Sequence, residues 1–140
     1  MHSLAAYILA LLVFGAIDLT WLIVMGPALY RPVLGDILLQ GLRIPPAIAF
    51  YAIYPIGIVV FAIIPALKSE ALTIAAFNGA LFGAIAYATY DLTNYATLRN
   101  WTLQITAIDI VYGAFASAVA ASVAVIILKL LPPAFGGISP

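Results

Sequence analysis

Three long stretches of this chain contain no charged residue, and they constrain its fold more than any other feature. They cover residues 44–67, 71–90 and 110–128. A helix of about 20 apolar residues crosses the hydrocarbon core of a bilayer, so each stretch is long enough to span it. Only 7% of the residues are charged and 66% are hydrophobic, whereas soluble domains carry about 25% charged residues. The sequence therefore predicts an integral membrane protein and excludes a water-soluble domain.

A fourth apolar stretch, residues 4–25, contains only two strongly polar side chains, Asp18 and Thr20. No basic residue precedes it and no small-residue cleavage site follows, so a transmembrane helix is predicted rather than a signal peptide. This helix is expected to end at Gly26-Pro27. The predicted fold is all-α, with a single transmembrane domain over residues 1–140 and four spans at about 4–25, 47–67, 72–95 and 103–129.

The connection between the first two spans, residues 26–46, is the only long one. Within it Asp36, Gln40 and Arg43 recur at helical spacing, while apolar residues occupy other positions. This pattern predicts a short amphipathic helix over 33–43 that lies in the membrane interface.

Proline residues predict where two of the helices bend or end. Pro55 lies inside the second span, where it removes a backbone N–H donor and is expected to kink the helix. Pro132-Pro133 is predicted to end the fourth span.

Small residues recur at four-residue spacing on the third and fourth spans. They are Ala75, Gly79 and Gly83 on the third span and Gly113, Ser117 and Ala121 on the fourth. Such faces let helix backbones approach closely in lipid, where no hydrophobic drive brings helices together. A tight hairpin of the third and fourth spans is predicted. Membrane lipids are the expected partners, and a homo-oligomer through one of these faces remains open.

Three aspartates lie within the predicted spans, where a charged side chain costs about 2.5–3.5 kcal/mol at the helix centre. Asp18 lies near the far end of the first span, Asp91 near the end of the third and Asp109 near the start of the fourth. Because consecutive spans cross in opposite directions, these three positions fall in the same leaflet. The sequence therefore predicts a polar cluster of aspartates in one leaflet.

Aromatic and amide side chains accompany these aspartates at helical spacing. On the third span Tyr87, Asp91 and Asn94 share one helix face. In the first and fourth spans an aromatic residue follows the aspartate by three positions. The candidate residues for binding a ligand, a proton or a cation are Asp18, Asp91, Asn94, Arg99, Asp109, Tyr87, Tyr112 and Trp21.

Two classes of function fit this cluster. In the first, the aspartates line a polar cavity that binds or moves a proton, a small cation, a polar solute or a lipid headgroup. With three acids and few bases, at least one carboxyl group is then expected to have a raised pKa, since like charges and desolvation both favour the neutral form. In the second, Arg99 and nearby hydroxyl and amide groups hold the acids, in a structural or accessory subunit of a larger membrane complex. Trp21, Trp101, Tyr90 and Tyr95 would then form an interfacial aromatic belt.

A membrane-embedded enzyme that acts on lipids through an aspartate pair is a third interpretation, which the composition disfavours. The chain has no cysteine, and its one histidine is His2. No catalytic residue, metal site or cofactor is therefore predicted. A net charge of zero and scattered basic residues also exclude a nucleic-acid-binding surface.

The basic residues predict the orientation of the protein. Arg31, Arg43 and Arg99 lie on the side of the aspartate cluster, and Lys68 and Lys129 lie on the other side. By the positive-inside rule, the aspartate leaflet is expected to face the cytoplasm and both termini the opposite side.

Several strings of residues resemble a known bacterial family. The most specific string is Tyr-Asp-Leu-Thr-Asn-x-Ala-Thr-Leu at 90–98, and the likeness continues at 18–21, 30–31, 50–67 and 109–113. The family is that of small predicted membrane proteins called domain of unknown function 2177. The resemblance implies a four-span fold in the bacterial inner membrane, and it implies no established activity, ligand or catalytic residue. Tyr112 and the string Asn-Trp-Thr at 100–102 stand where the family is expected to have Trp and Gly-Trp-Pro.

Overall fold

The computed structural model describes residues 2–131, and most of this part of the chain is helical. In chain order the helical segments are α1 (His2–Met25), a π-helical turn (Gly26–Tyr30), α2 (Arg31–Leu34), a 3-10 turn (Gly35–Ile37), α3 (Ile44–Ile58), a second π-helical turn (Val59–Ile63), α4 (Ile64–Lys68), α5 (Leu72–Thr97) and α6 (Leu103–Leu130).

These segments join into four helical rods that are long and apolar enough to cross a membrane. We call them spans 1 to 4, and they are Ser3–Ile37, Ile44–Lys68, Leu72–Thr97 and Leu103–Leu130. The prediction of an all-α membrane protein with four spans is therefore confirmed. The predicted end of the fourth span at Pro132-Pro133 lies outside the described residues.

Span 1 is longer than predicted, because the helix does not stop at Gly26-Pro27. It passes through the π-helical turn at Gly26–Tyr30 and ends at Ile37. Proline has no N–H to donate, and the wider turn carries the backbone past it, with the N–H of Arg31 bonded to the carbonyl of Gly26. Helices in membranes tolerate glycine and proline when local adjustments of this kind satisfy the backbone. The α-helical part therefore ends at Met25, close to the predicted position, but the prediction that the span ends at Gly26-Pro27 is wrong.

The interfacial helix predicted over 33–43 is only partly present as a result. Residues 33–37 are helical as the last turns of span 1, and residues 38–43 form no helix. Two glycines, Gly35 and Gly41, lower the helix propensity of this short segment. The amphipathic spacing of the polar residues therefore does not produce a separate helix.

Span 2 contains Pro55 and, one turn later, the π-helical turn at Val59–Ile63. Pro65 follows this turn and has no N–H to donate to the carbonyl of Phe61. The side-chain amide of Asn78 on α5 donates to that oxygen instead, at 3.0 Å. Since an unsatisfied carbonyl is costly in a bilayer, Asn78 stabilises the irregular turn and joins span 2 to span 3.

Spans 3 and 4 form the tight hairpin that their small residues predict. A Cβ atom added to Gly83 would lie 2.0 Å from the carbonyl oxygen of Gly113, and one added to Gly79 would lie 2.7 Å from the carbonyl oxygen of Ser117. The backbones of α5 and α6 are therefore in direct contact. Such contact requires residues without a Cβ atom, so the predicted hairpin is confirmed.

Two apolar clusters flank the aspartates along the bundle. The main core includes Phe14 on α1, and a smaller cluster consists of Leu29, Leu34, Trp101 and Ile105. In span 1 the position of Asp18 lies between these two clusters. The fold therefore places the polar side chains between the main core and the end of the bundle where spans 3 and 4 are connected.

Candidate functional site

Asp18 on α1 lies close to tyrosine hydroxyls from all three other spans. Tyr51 on α3 donates to Oδ2 at 2.6 Å. Tyr112 on α6 donates to Oδ1 at 2.9 Å, and Tyr87 on α5 donates to the same atom across 3.5 Å. Asp18 is only 5% exposed. Polar groups buried within a membrane need partners inside the protein, and these hydroxyls satisfy Asp18.

Aromatic rings pack beside Asp18 and connect it to a second polar group. Trp21 stacks on Tyr112 with ring centroids 4.0 Å apart and planes 9° apart. Tyr87 packs edge-on against Tyr112, with centroids 5.8 Å apart. Because Trp21 follows Asp18 by three residues, one face of α1 supplies both the acid and the stacking ring.

Asp109 on α6 is reached from span 1 by a directional chain of hydrogen bonds. The indole N–H of Trp21 donates to the hydroxyl oxygen of Tyr30 at 2.9 Å, and the Tyr30 hydroxyl donates to Oδ1 of Asp109. Tyr30 lies at the end of the first π-helical turn. It reaches Asp109 because the helix continues past Gly26-Pro27.

Asp91 on α5 is buried, and the part of the chain that the structure describes offers it no hydrogen-bond donor. Its exposure is 0%, and within residues 2–131 neither carboxyl oxygen has a hydrogen-bond partner. Its polar neighbours are the carboxyl group of Asp109 and the indole of Trp101, whose Nε1 also lacks a partner in this part of the chain. Asp91 precedes the end of α5 by six residues and Asp109 follows the start of α6 by six, which is about 9 Å along each axis. The two acids therefore lie at a similar depth.

Within residues 2–131, Arg99 does not hold Asp91, although one of the two classes of function that fit the sequence had it among the groups that hold the acids. Arg99 is exposed in the connection between α5 and α6, and across the described residues it does not bond to Asp91. Burying a guanidinium group removes its hydration, and this penalty can exceed the Coulombic gain of an ion pair. The side chain of this connection that is buried near Asp91 is Trp101.

The remaining predicted positions take less part in the cluster. Asn94 is half-buried, and its side chain makes none of the hydrogen bonds found within residues 2–131. Tyr90 and Tyr95 are exposed, as expected of an interfacial belt. The two tryptophans do not fit this belt. Trp101 is only 8% exposed, and the indole N–H of Trp21 donates to a side chain inside the protein rather than facing the interface.

Three tyrosines near the aspartates were not among the predicted site residues: Tyr30, Tyr51 and Tyr54. Tyr51 and Tyr54 are three residues apart on α3, and the hydroxyl of Tyr54 lies 2.8 Å from Oγ of Ser117. A buried tyrosine usually needs a partner for its hydroxyl, so two tyrosines on one face of a predicted span were an available signal. Tyr30 offered no such signal, because its position depends on how the helix passes Pro27.

The three carboxyl groups therefore lie in two kinds of environment. Asp18 and Asp109 accept hydrogen bonds from tyrosine hydroxyls, and Asp91 accepts none from the described residues. In that same part of the chain, no three acidic, histidine or cysteine side chains lie close enough together to hold a metal ion. The chemistry that the cluster offers is that of adjacent carboxyl and phenol groups.

Fold and site together define an all-α integral membrane protein with four spans and a buried acidic cluster. Residues 3–126 match the model of a family described as predicted membrane protein (DUF2177). The chain belongs to this family, which confirms the resemblance seen in the sequence. Comparisons with curated proteins and with solved structures gave no match.

Proposed function

We propose that this protein binds and releases a proton at the Asp91–Asp109 pair, within one leaflet of the membrane. The observation that supports this most directly is the burial of Asp91 without a hydrogen-bond donor among the described residues. An unpaired carboxylate in a low-dielectric site costs several kcal/mol, and such a group becomes neutral instead. A proton on Asp91 removes this cost.

The neighbouring carboxyl group of Asp109 strengthens the argument. Two adjacent carboxyl groups in an apolar site do not both ionise, and they share one proton as the aspartic protease pair does. A proton on Asp91 also turns one of its two unpartnered oxygens into a donor towards the carboxyl group of Asp109. A single proton therefore removes the buried charge and gives that oxygen a hydrogen bond.

A proton fits this pair better than a divalent metal ion does. Calcium takes six to eight oxygen ligands and magnesium six, and the described residues bring no third acidic side chain into ligand geometry. Two carboxyl groups are enough for a proton. The protein is accordingly proposed to act in proton-linked membrane processes, in the bacterial inner membrane with the aspartate leaflet facing the cytoplasm.

Carbodiimide modification tests this proposal, because hydrophobic carbodiimides react with protonated carboxyl groups in apolar sites. The full chain in detergent micelles would be treated with dicyclohexylcarbodiimide at several pH values, and the modified residues located by mass spectrometry. We expect modification of the aspartate pair that decreases as the pH rises, since deprotonation removes the reactive form. Asp91→Asn should abolish the modification at position 91.

Asp36 provides the internal control, since it is exposed near the end of span 1 and should stay unmodified at neutral pH. The proposal is wrong if neither Asp91 nor Asp109 is modified at any pH at which the protein remains folded. It is also wrong if modification of the pair does not depend on pH.

A further inference from the structure

The hydrogen bonds around Asp109 are directional, and this asymmetry assigns the proton to one member of the pair. We infer that Tyr30 is a positioning residue, oriented by Trp21, that keeps the shared proton on Asp91 rather than on Asp109. This inference rests on the proposed function, because it requires that the pair holds a proton.

The direction follows from the donors that each side chain has. The indole Nε1 of Trp21 is a donor only, so at 2.9 Å the oxygen of Tyr30 is the acceptor. The single hydroxyl proton of Tyr30 is then free to point at Oδ1 of Asp109, the other atom within hydrogen-bond reach. Trp21 thus fixes Tyr30 as a donor towards Asp109.

A hydrogen bond donated to a carboxylate favours its ionised form. Asp109 receives such a bond from Tyr30, while Asp91 receives none within the described residues. The titratable groups that face the pair are Tyr30 and Asp18 from span 1 and Tyr87 from span 3. The hydroxyl of Tyr87, like those of Tyr51 and Tyr112, donates to Asp18 and not to the pair. Among these groups, Tyr30 is the one that donates a hydrogen bond to Asp109 and none to Asp91.

The test measures how carbodiimide modification divides between the two aspartates in the full chain. In the unaltered protein, modification should fall mainly on Asp91. Tyr30→Phe removes the hydroxyl and keeps the ring, so the ratio of modified Asp91 to modified Asp109 should fall about tenfold, the factor that a hydrogen bond to a charged group is worth. Trp21→Phe should change the ratio in the same direction by a smaller factor, because Tyr30 loses only its orientation.

Trp101→Phe is the matched control, since it removes an indole N–H beside Asp91 rather than a donor to Asp109. We expect this variant to leave the ratio unchanged or to raise it, because loss of a donor near Asp91 does not favour its ionised form. If Tyr30→Phe fails to fold, as judged by gel filtration and circular dichroism, Trp21→Phe against Trp101→Phe carries the test.

The outcomes separate this inference from the proposed function. Absence of modification at both aspartates in the unaltered protein contradicts the proposed function. Modification of the pair that favours Asp109, or a ratio that Tyr30→Phe leaves unchanged, contradicts the positioning role alone. A fall of the ratio with Trp101→Phe as large as that with Trp21→Phe would also overturn it.

Discussion

The hydroxyl of Tyr112 donates to Oδ1 of Asp18 at 2.9 Å, which joins α6 to α1 across 94 positions of the chain. The ring of Tyr112 also stacks on Trp21, which follows Asp18 on the same helix. Tyr112 therefore holds α1 through one polar and one stacking interaction, and substitutions can remove them separately.

Tyr112→Phe should keep the stack and lose the hydrogen bond. A hydrogen bond to a charged group is worth about 1.5–3 kcal/mol, and the hydroxyl of Tyr51 remains on Asp18. We therefore expect the free energy of unfolding in detergent to fall by about 1–2 kcal/mol. Tyr90→Phe is the control, since Tyr90 is 60% exposed and its substitution should change stability by less than about 0.5 kcal/mol. Equal effects of the two variants would show that the Tyr112 hydroxyl does not stabilise the bundle.

Asparagine substitutions at Asp18 and Asp91 should affect stability in opposite directions. Asp18→Asn weakens its hydrogen bonds with the tyrosine hydroxyls and should lower the free energy of unfolding by about 2 kcal/mol. Asp91→Asn removes a carboxyl group that has no partner among residues 2–131, so stability should stay the same or rise. Thermal unfolding of both variants in the same detergent measures the difference.

The alternative for Asp91 has a distinct signature in the same measurement. Loss of one member of a buried ion pair typically costs about 3–5 kcal/mol. A destabilisation of that size in Asp91→Asn, recovered by adding Arg99→Gln, would show that Asp91 and Arg99 form an ion pair. We expect Arg99→Gln alone to have little effect, because Arg99 is exposed.

Two glycines in different spans should respond oppositely to the same substitution. Gly83→Ala places a Cβ atom 2.0 Å from the carbonyl oxygen of Gly113, so α5 and α6 must separate, at a cost of about 1–3 kcal/mol. Gly15→Ala on α1 meets no atom of residues 2–131 within 4 Å and should stabilise the helix by about 0.5 kcal/mol. Denaturant unfolding of the two variants compares them directly. A loss of stability in both would mean that the Gly15 face is packed in the folded protein.

The four-span topology predicts that the turn at Ser69 and the connection at Arg99 lie on opposite sides of the membrane. The chain has no cysteine, so Ser69→Cys and Arg99→Cys each create a single thiol, at exposed positions. A membrane-impermeant maleimide added to sealed vesicles should label only one of the two variants. Labelling of both from the same side would contradict the topology.

The spans and the hairpin could be predicted from the sequence because they depend on short-range patterns. A charge-free run such as 71–90 has few alternatives to a spanning helix in a chain this apolar. Gly79 and Gly83 lie one turn apart, so their shared face follows from helix geometry alone. Likewise, the convergence of Asp18, Asp91 and Asp109 follows from the alternating direction of consecutive spans.

The partners of the aspartates could not be predicted, because they depend on what happens at helix ends. Gly26 and Pro27 usually end helices in water, but a bilayer favours any local turn that keeps the backbone bonded, and this turn carries Tyr30 to Asp109. Arg99 is the basic residue nearest to Asp91 in the sequence, so an ion pair was one of the arrangements that the sequence left open. The helix ends at Thr97, however, and the guanidinium group is exposed.

Span 1 has a further consequence for the site. Its 35 residues extend over about 50 Å at 1.5 Å per residue, which exceeds the hydrocarbon thickness of about 30 Å. A rod this long fits a bilayer by tilting or by carrying its last turns beyond the acyl chains. Trp21 and Tyr30 both belong to this rod, so a change in its tilt would also change the height at which the hydroxyl of Tyr30 meets Asp109.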